Sequence, residues 1–253
     1  MIIFRYDKTF EGLLTAVFDA YNRKTFPDRL LDEAEVEPLF TDECYTVITD
    51  EAKSDRVWQG LRKKLMPISC NMLRYVWLSE LQGSDELIFR YIRKAFESKH
   101  SIELNFADDD VLQVRNLAKK VDKECCRLIE LVRFQKAADD IFFAPVSPDH
   151  NTLPLTLEHF TDRFADQKWI IYDTKRNYGY YYDLRTVTEM TLDSKDLFPE
   201  GKLDEKLMAE DEKLFQELWK GYFKSMTIKE RINLKLQRQH LPERYWKYLT
   251  EKQ

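Results

Sequence analysis

The sequence predicts an α+β protein that is predominantly helical. Only six of its 253 residues are glycines, and 34% of the residues are charged. Apolar residues recur at helical spacing along much of the chain. Few glycines disfavour Gly-rich nucleotide loops, propellers and sandwiches, while a high charged fraction is typical of solvated helices. Because 43% of the residues are hydrophobic, the chain can fill a core. We expect a short N-terminal strand pair and, in the C-terminal half, a β-hairpin or small antiparallel sheet.

The N-terminal elements follow from periodicity and capping. Residues 1–7, MIIFRYD, alternate with period two and predict a strand. Thr9 is placed to cap the next helix, and Pro27 ends it. Residues 44–50, CYTVITD, are short and β-branched and predict a second strand. Helical spacing then predicts helices at residues 54–65, at 68–81, from Ser84 onwards, and from Asp108 to Arg133.

A change in composition predicts a boundary between a mainly helical region, residues 1–135, and an α+β region, residues 136–253. The stretch FQKAADDIFFAPVSPDHNTLPL contains three prolines that break any helix, and its part DDIFFAPVSPDH is expected to be loop. Beyond it we expect a helix at residues 155–164 and a hairpin of residues 169–173 and 179–183. A third strand at residues 187–192 and a helix at residues 204–223 complete the prediction.

The basic and aromatic end of the chain is its most distinctive feature, and we call residues 227–251 the C-terminal segment. Thr227 and Glu230 form a capping-box pair that predicts a helix start, and Pro242 separates this helix from a second one. From Lys220 to the end there are nine Lys and Arg against three Asp and Glu, although the whole chain has a net charge of −5. Residues 28–55 form the opposite pole, with ten acids and two bases.

Bases mixed with aromatic residues suit nucleic acid, because cationic groups neutralise phosphates and flat rings stack on bases. The hairpin adds two bases at its turn and one tyrosine from a run of three. Both patterns also fit aromatic rings that pack in a core while the bases are merely solvated. The candidate nucleic-acid contacts are Lys175, Arg176, Tyr181, Lys229, Arg231, Lys235, Arg238, Arg244, Tyr245 and Trp246.

A polar cluster in the proline-rich stretch is the one place where catalysis is conceivable. Carboxylates and imidazoles together bind divalent metals or act as acid and base. However, their spacing fits no established ligand pattern, and Asp and His in such loops commonly cap helices and turns. We therefore predict no metal and no cofactor, and leave the enzyme question open. The weak catalytic candidates are Asp139, Asp140, Asp149 and His150.

Several other classes of protein are disfavoured. The four cysteines have no CxxC spacing, which argues against zinc and iron–sulfur sites. No stretch approaches the roughly 20 apolar residues that cross a bilayer, and charged residues interrupt the N-terminus early, so a cytoplasmic protein is expected. Nucleotide-binding and hydrolase motifs such as GxxxxGK[ST], GxGxxG and GxSxG are absent.

Three blocks of the sequence resemble an uncharacterised bacterial family of DNA-metabolism proteins. They are RFQKAADDIFFAPVSPDHNTLPL, HFTDRFADQKWIIYDTKRNYGYYYD and TIKERINLKLQRQHLPERYWKYLTE. The resemblance implies a protein that occurs alone or fused ahead of a uracil-DNA glycosylase-like domain. It also implies a radical-SAM partner with a helix-hairpin-helix region. It supplies no catalytic residues.

The first hypothesis is therefore a nucleic-acid-associated accessory protein in DNA repair or modification, which acts on DNA together with a radical-SAM or glycosylase-type partner. One alternative is a metal-dependent nuclease or base-processing enzyme built on the polar cluster. The other is a protein-binding adaptor, whose acidic and basic poles each meet a partner.

Overall fold

The computed structural model describes residues 1–192 and 207–252 and confirms the mixed α+β class. Two compact units divide the chain, Met1–Asp122 and Lys123–Gln253. This division falls earlier in the chain than the change in composition at residue 135, so the predicted domain boundary stays a prediction.

The first unit begins with a small parallel sheet in the order β2-β1-β3. Its strands are β1 (Ile2–Tyr6), β2 (Arg29–Asp32) and β3 (Glu43–Thr46). Helix α1 (Phe10–Arg23) connects β1 to β2, and the Thr9 hydroxyl caps it by accepting from the Gly12 amide at 2.9 Å. The sequence missed β2, because its four residues lie within the acidic stretch. Leu30 and Leu31 are nevertheless buried.

Helices complete the first unit. They are α2 (Glu51–Lys64), α3 (Pro67–Leu78), α4 (Ser84–Glu97) and the start of α5 (Asp109–Leu131). Each buries the apolar stripe that its spacing predicts, and fully buried residues such as Leu13, Leu61, Leu73 and Ile88 form one core with the sheet. The predicted helix set is thus present with ends shifted by a few residues.

The second unit is built on a five-stranded sheet in sequential order, β4-β5-β6-β7-β8. The strands are β4 (Gln135–Lys136), β5 (Phe142–Val146), β6 (Trp169–Asp173), β7 (Tyr178–Tyr182) and β8 (Val187–Met190). Helix α6 (Leu153–Arg163) joins the parallel pair β5 and β6, and the other neighbouring strands are antiparallel. The predicted hairpin and third strand are confirmed as β6, β7 and β8.

The prediction of loop over residues 142–146 was wrong, because FFAPV forms β5 in the interior of the sheet. Successive backbone nitrogens of a strand point to opposite neighbours. The Phe142 amide donates to the Lys168 carbonyl, on the β6 side, so the nitrogen of Pro145, three residues later, points to the β4 side. On that side β4 has only two residues, which pair with Phe142 and Phe143. Pro145 therefore removes no ladder hydrogen bond.

The chain ends in short helices. Helix α7 (Glu212–Met226) is followed by a 3₁₀ turn (Lys229–Arg231), α8 (Leu234–His240) and two further 3₁₀ turns (Glu243–Tyr248 and Thr250–Lys252). The predicted helix at residues 204–223 is observed from Glu212, while residues 204–206 lie outside the described residues. The buried centre of this unit contains Phe160, Trp169 and Ile171.

Candidate nucleic-acid interface

Helix α7 presents an apolar stripe to solvent. Leu214, Leu218, Tyr222 and Met226 recur every four residues, and Phe215, Trp219 and Phe223 lie beside them. Leu218 is 58% exposed and Met226 64% exposed. A helical stripe of this kind usually faces a core, so α7 has an apolar face that the described part of the chain leaves largely uncovered.

The segment after α7 starts differently from the prediction. Thr227 was expected to cap the start of a helix, and that prediction was wrong: Thr227 is the C-cap of α7. Its hydroxyl donates back to the Phe223 carbonyl at 2.7 Å, within the last turn of α7. The helix start lies at Asn233, whose side chain accepts from the Leu236 amide at 3.0 Å.

Three bases of this region have no acidic partner in the part of the chain that the structure describes. Lys229, Arg231 and Lys235 are exposed, and within the described ranges no carboxylate lies at ion-pair distance from them. Arg238 differs, because its Nε lies 2.9 Å from the Glu243 carboxylate. We call α7, the 3₁₀ turn and α8 the α7–α8 surface, which thus combines uncompensated positive charge with exposed aromatic and aliphatic side chains.

Arg244 and Tyr245 belong instead to a buried carboxylate centre on α5. Glu124 is 2% exposed on its side chain and accepts from the Arg244 guanidinium at 2.6 Å and from the Tyr245 hydroxyl at 3.0 Å. The backbone amides of Asp149 and His150 also donate to it, at 2.9 and 2.7 Å. Tyr245 is 4% exposed, so its ring is not available to stack on a base.

The pKa of the Glu124 carboxyl reflects this environment. Burial alone raises the pKa, but the two backbone amides, Tyr245 and Arg244 favour the charged form and hold the pKa below its usual value. Burial next to this carboxylate raises the pKa of Tyr245 to about 12. The centre is therefore a charged hydrogen-bond network, which holds residues 244 and 245 against α5 and the loop after β5.

Trp246 packs on its own segment. Its indole N–H donates to the Leu241 carbonyl at 3.0 Å, and the Lys252 ammonium lies 4.9 Å from its ring centroid. The ring is half-buried. A role in base stacking would require it to leave these contacts.

The bases at the hairpin turn are engaged with neighbouring chain. Arg176 bonds to the fully buried Asp173 carboxylate at 2.7 Å and donates to the carbonyls of Pro148 and Asp149. Lys175 donates to the Asp149 carbonyl at 2.9 Å. These contacts hold the loop that follows β5, and they leave Arg176 little freedom to bind a phosphate.

The three successive tyrosines of β7, residues 180–182, divide between the two faces of the sheet. Tyr182 stacks on Trp169 with ring centroids 5.3 Å apart, and Tyr180 packs against the same core. Tyr181 lies on the other face and is half-buried. Its role as a nucleic-acid contact stays a prediction.

The four catalytic candidates do not converge. Asp139 and Asp140 precede β5, whereas Asp149 and His150 follow it, and a strand of five residues spans roughly 16 Å. Asp140 pairs with Lys136 at 3.0 Å, while Asp149 pairs with Arg244. Over residues 1–192 and 207–252 no group of three or more His, Cys, Asp and Glu side chains is arranged to hold a metal ion.

Sequence reasoning missed the exposed aromatic residues of α7. Their helical spacing is visible in the sequence, but it predicts a buried face equally well.

Among the described residues, no helix has both the length and the apolar character that a bilayer span requires.

Comparisons with known proteins identify a family without an assigned activity. A family model described as a domain of unknown function, DUF4130, matches residues 82–251, more than half of the chain. No curated protein matches the sequence significantly. A solved pGpG-specific phosphodiesterase from Vibrio cholerae is 10% identical, with 89% of this chain and 98% of that chain covered, and has a TM-score of 0.35. A likeness at that level assigns neither fold nor activity.

Proposed function

This chain belongs to the DUF4130 family, and we propose that it is a nucleic-acid-associated accessory protein. The α7–α8 surface is the proposed contact. The observation that supports it is that three exposed bases have no acidic partner among the described residues, and that one of them, Arg231, lines a groove together with the aromatic ring of Phe223. Uncompensated bases neutralise phosphates with the greatest gain, because no internal ion pair has to be broken.

Single-stranded DNA is the proposed ligand class. Tyr222 is 55% exposed on α7, and Trp219 and Phe223 lie one helical turn or less from it. Bases stack on such rings only when they are unpaired, so the aromatic face favours single strands over duplex. In line with the family resemblance, we propose that this contact serves DNA repair or modification together with a radical-SAM or glycosylase-type partner.

The test is binding of the full chain to labelled single-stranded DNA, single-stranded RNA and duplex DNA across a salt series, measured by fluorescence anisotropy. Replacing Lys229, Arg231 and Lys235 together by Gln should flatten the dependence of log K on log salt by about 2, since each lost phosphate contact removes about 0.7. A matched control replaces Lys63, Lys99 and Lys120 by Gln; these lysines are also exposed, and none has an ion pair with a residue in the described ranges.

A second substitution tests stacking. Tyr222→Ala should weaken binding to single-stranded DNA by about 1–3 kcal/mol and leave duplex binding nearly unchanged. If the original chain, the triple Gln variant and the control bind with the same weak affinity and the same salt slope, direct contact with nucleic acid is ruled out.

The aliphatic part of the same surface favours a second candidate function, that of a protein-binding adaptor. Leu214, Leu218 and Met226 are more than half exposed, and aliphatic side chains gain little from phosphates or bases. Contiguous exposed apolar surface commonly marks a site of protein association. In this function the bases would steer an acidic partner protein.

A further inference from the structure

A second exposed apolar feature lies in the first unit, in residues 33–42 between β2 and β3, which we call the acidic loop. Val36, Leu39 and Phe40 are 91%, 96% and 88% exposed. Large apolar side chains in folded proteins are seldom presented this fully in one short stretch. Their exposure is a cost that association with an apolar surface would remove.

The acidic loop is anchored at both ends. The Glu33 amide donates to the Tyr6 carbonyl at 3.2 Å, and the Asp42 amide donates to the Met1 carbonyl at 3.0 Å. Within the loop, the Thr41 hydroxyl donates to the Pro38 carbonyl at 2.8 Å. Fixed ends lower the conformational entropy that docking would cost.

The charge of the acidic loop identifies the surface it fits. Four of its ten residues are acidic and none is basic. The apolar triplet is therefore surrounded by carboxylates, and a complementary partner needs an apolar cleft with basic residues around it.

The α7–α8 surface has such a cleft. A groove of about 680 Å³ lies between the end of α7 and α8, and its apolar lining includes Phe223, Met226, Ile228 and Ile232. Arg231 and Lys252 also line it, and Lys235 lies on α8 next to the lining residues Leu234 and Leu236. The groove thus offers apolar contact and positive charge, the two properties that the acidic loop needs.

We propose that the acidic loop of one copy of this chain docks, through Val36, Leu39 and Phe40, into the basic apolar groove of a second copy. The two complementary surfaces are present on every molecule at equal concentration, which favours pairing between copies. Association would also cover the α7–α8 surface and so compete with nucleic acid there. The proposal itself stands on the two surfaces alone and does not rest on nucleic-acid binding.

The first experiment is sedimentation velocity of the full chain over a range of concentrations, without nucleic acid. The mean mass should rise above that of the monomer as concentration increases. Replacing Leu39 and Phe40 by Ser should weaken association by about tenfold or more, because two apolar contacts are lost. The control Ile48→Ser, at a position that is 81% exposed outside the loop, should associate like the unaltered chain.

A charge exchange tests the pairing directly. Glu33→Lys with Glu35→Lys puts two lysines in place of two of the loop's acids, and Arg231→Glu with Lys235→Glu puts two acids in place of two bases at the groove; none of these four side chains has an ion pair among the described residues. Each double variant alone should be monomeric, and an equal mixture of the two should associate. Circular dichroism verifies that both are folded.

Monomer mass at every concentration, or association that the Ser variants and both charge variants leave unchanged, would overturn the proposal. Failure to restore association in the mixture would also overturn it. Because the sedimentation samples contain no nucleic acid, their result tests self-association separately from the nucleic-acid binding that the anisotropy experiment measures.

Discussion

Residues 229–240 and residues 243–251 carry the same mixture of bases with apolar or aromatic side chains, yet their surroundings are opposite. In the first stretch nearly every side chain is exposed, including Ile232 and Leu236. In the second, Tyr245, Tyr248 and Leu249 are buried. The difference shows that composition alone does not separate an exposed stretch from a packed one.

Carboxylates decide which stretch is fixed. Glu124 on α5 captures Arg244 and Tyr245, and Glu251 bonds to Arg133 at 2.9 Å and to the Trp219 indole at 2.9 Å. Lys229, Arg231 and Lys235 meet no such group within the described residues. A basic side chain is held in a fixed position where it pairs with a buried carboxylate, because burying that carboxylate without a partner would cost free energy.

Removing the central carboxylate should have the largest effect. Glu124→Ala leaves the amides of Asp149 and His150 without their acceptor and frees Arg244 and Tyr245, and we expect a loss of about 3 kcal/mol in the free energy of unfolding. Denaturant-induced unfolding measures it. Glu158→Ala, at an exposed site on α6, should change stability by less than about 0.5 kcal/mol. Equal stability of the two variants would contradict the structural role of Glu124.

A smaller effect is expected at the ring that the carboxylate holds. Tyr245→Phe keeps the buried ring and removes only the hydroxyl that donates to Glu124 at 3.0 Å, so stability should fall by about 1.5 kcal/mol. Binding to single-stranded DNA should be unchanged, because the ring is buried. A drop in DNA affinity without a drop in stability would place Tyr245 on the interface instead.

The smallest effect concerns pH. The pKa of Glu124 is lower in the folded chain than in the unfolded chain, so its stabilising contribution is present above the unfolded pKa of about 4.3 and is lost as pH falls through the folded pKa. Glu251 behaves in the same direction, because bonds from Arg133 and Trp219 outweigh burial and lower its pKa. The effect is limited, since burial opposes both shifts.

The measurement is the free energy of unfolding from pH 7 down to the acid range. Glu124→Gln should lose less stability over that interval than the unaltered chain, whereas Glu158→Gln should follow the unaltered chain. Parallel curves for all three would show that Glu124 takes up no additional proton on unfolding.

Local pattern was sufficient for the helices of the first unit and for the hairpin. Apolar spacing in α4 and α5 and the capping role of Thr9 depend on neighbours within a few residues, and both were predicted correctly. Strand β2 was missed because it is short and lies in an acidic stretch, and β5 was missed because it contains Pro145; each is recognised only by the parallel partner beside it. Pro145 fits β5 only because β4 is too short to need a hydrogen-bond donor at that position.

For the candidate site, the sequence by itself determined where the charge lies. The chain has an excess of bases from residue 220 onwards and an excess of acids in residues 28–55. Both follow from the sequence alone and hold for any fold. Only the tertiary structure decided which of these groups are available. It buried Tyr245, tied Arg176 to Asp173, separated Asp139 from Asp149 and left the α7 stripe exposed. The physical reason is that exposure and ion pairing depend on groups distant in sequence, such as Glu124, which lies 120 residues before Arg244.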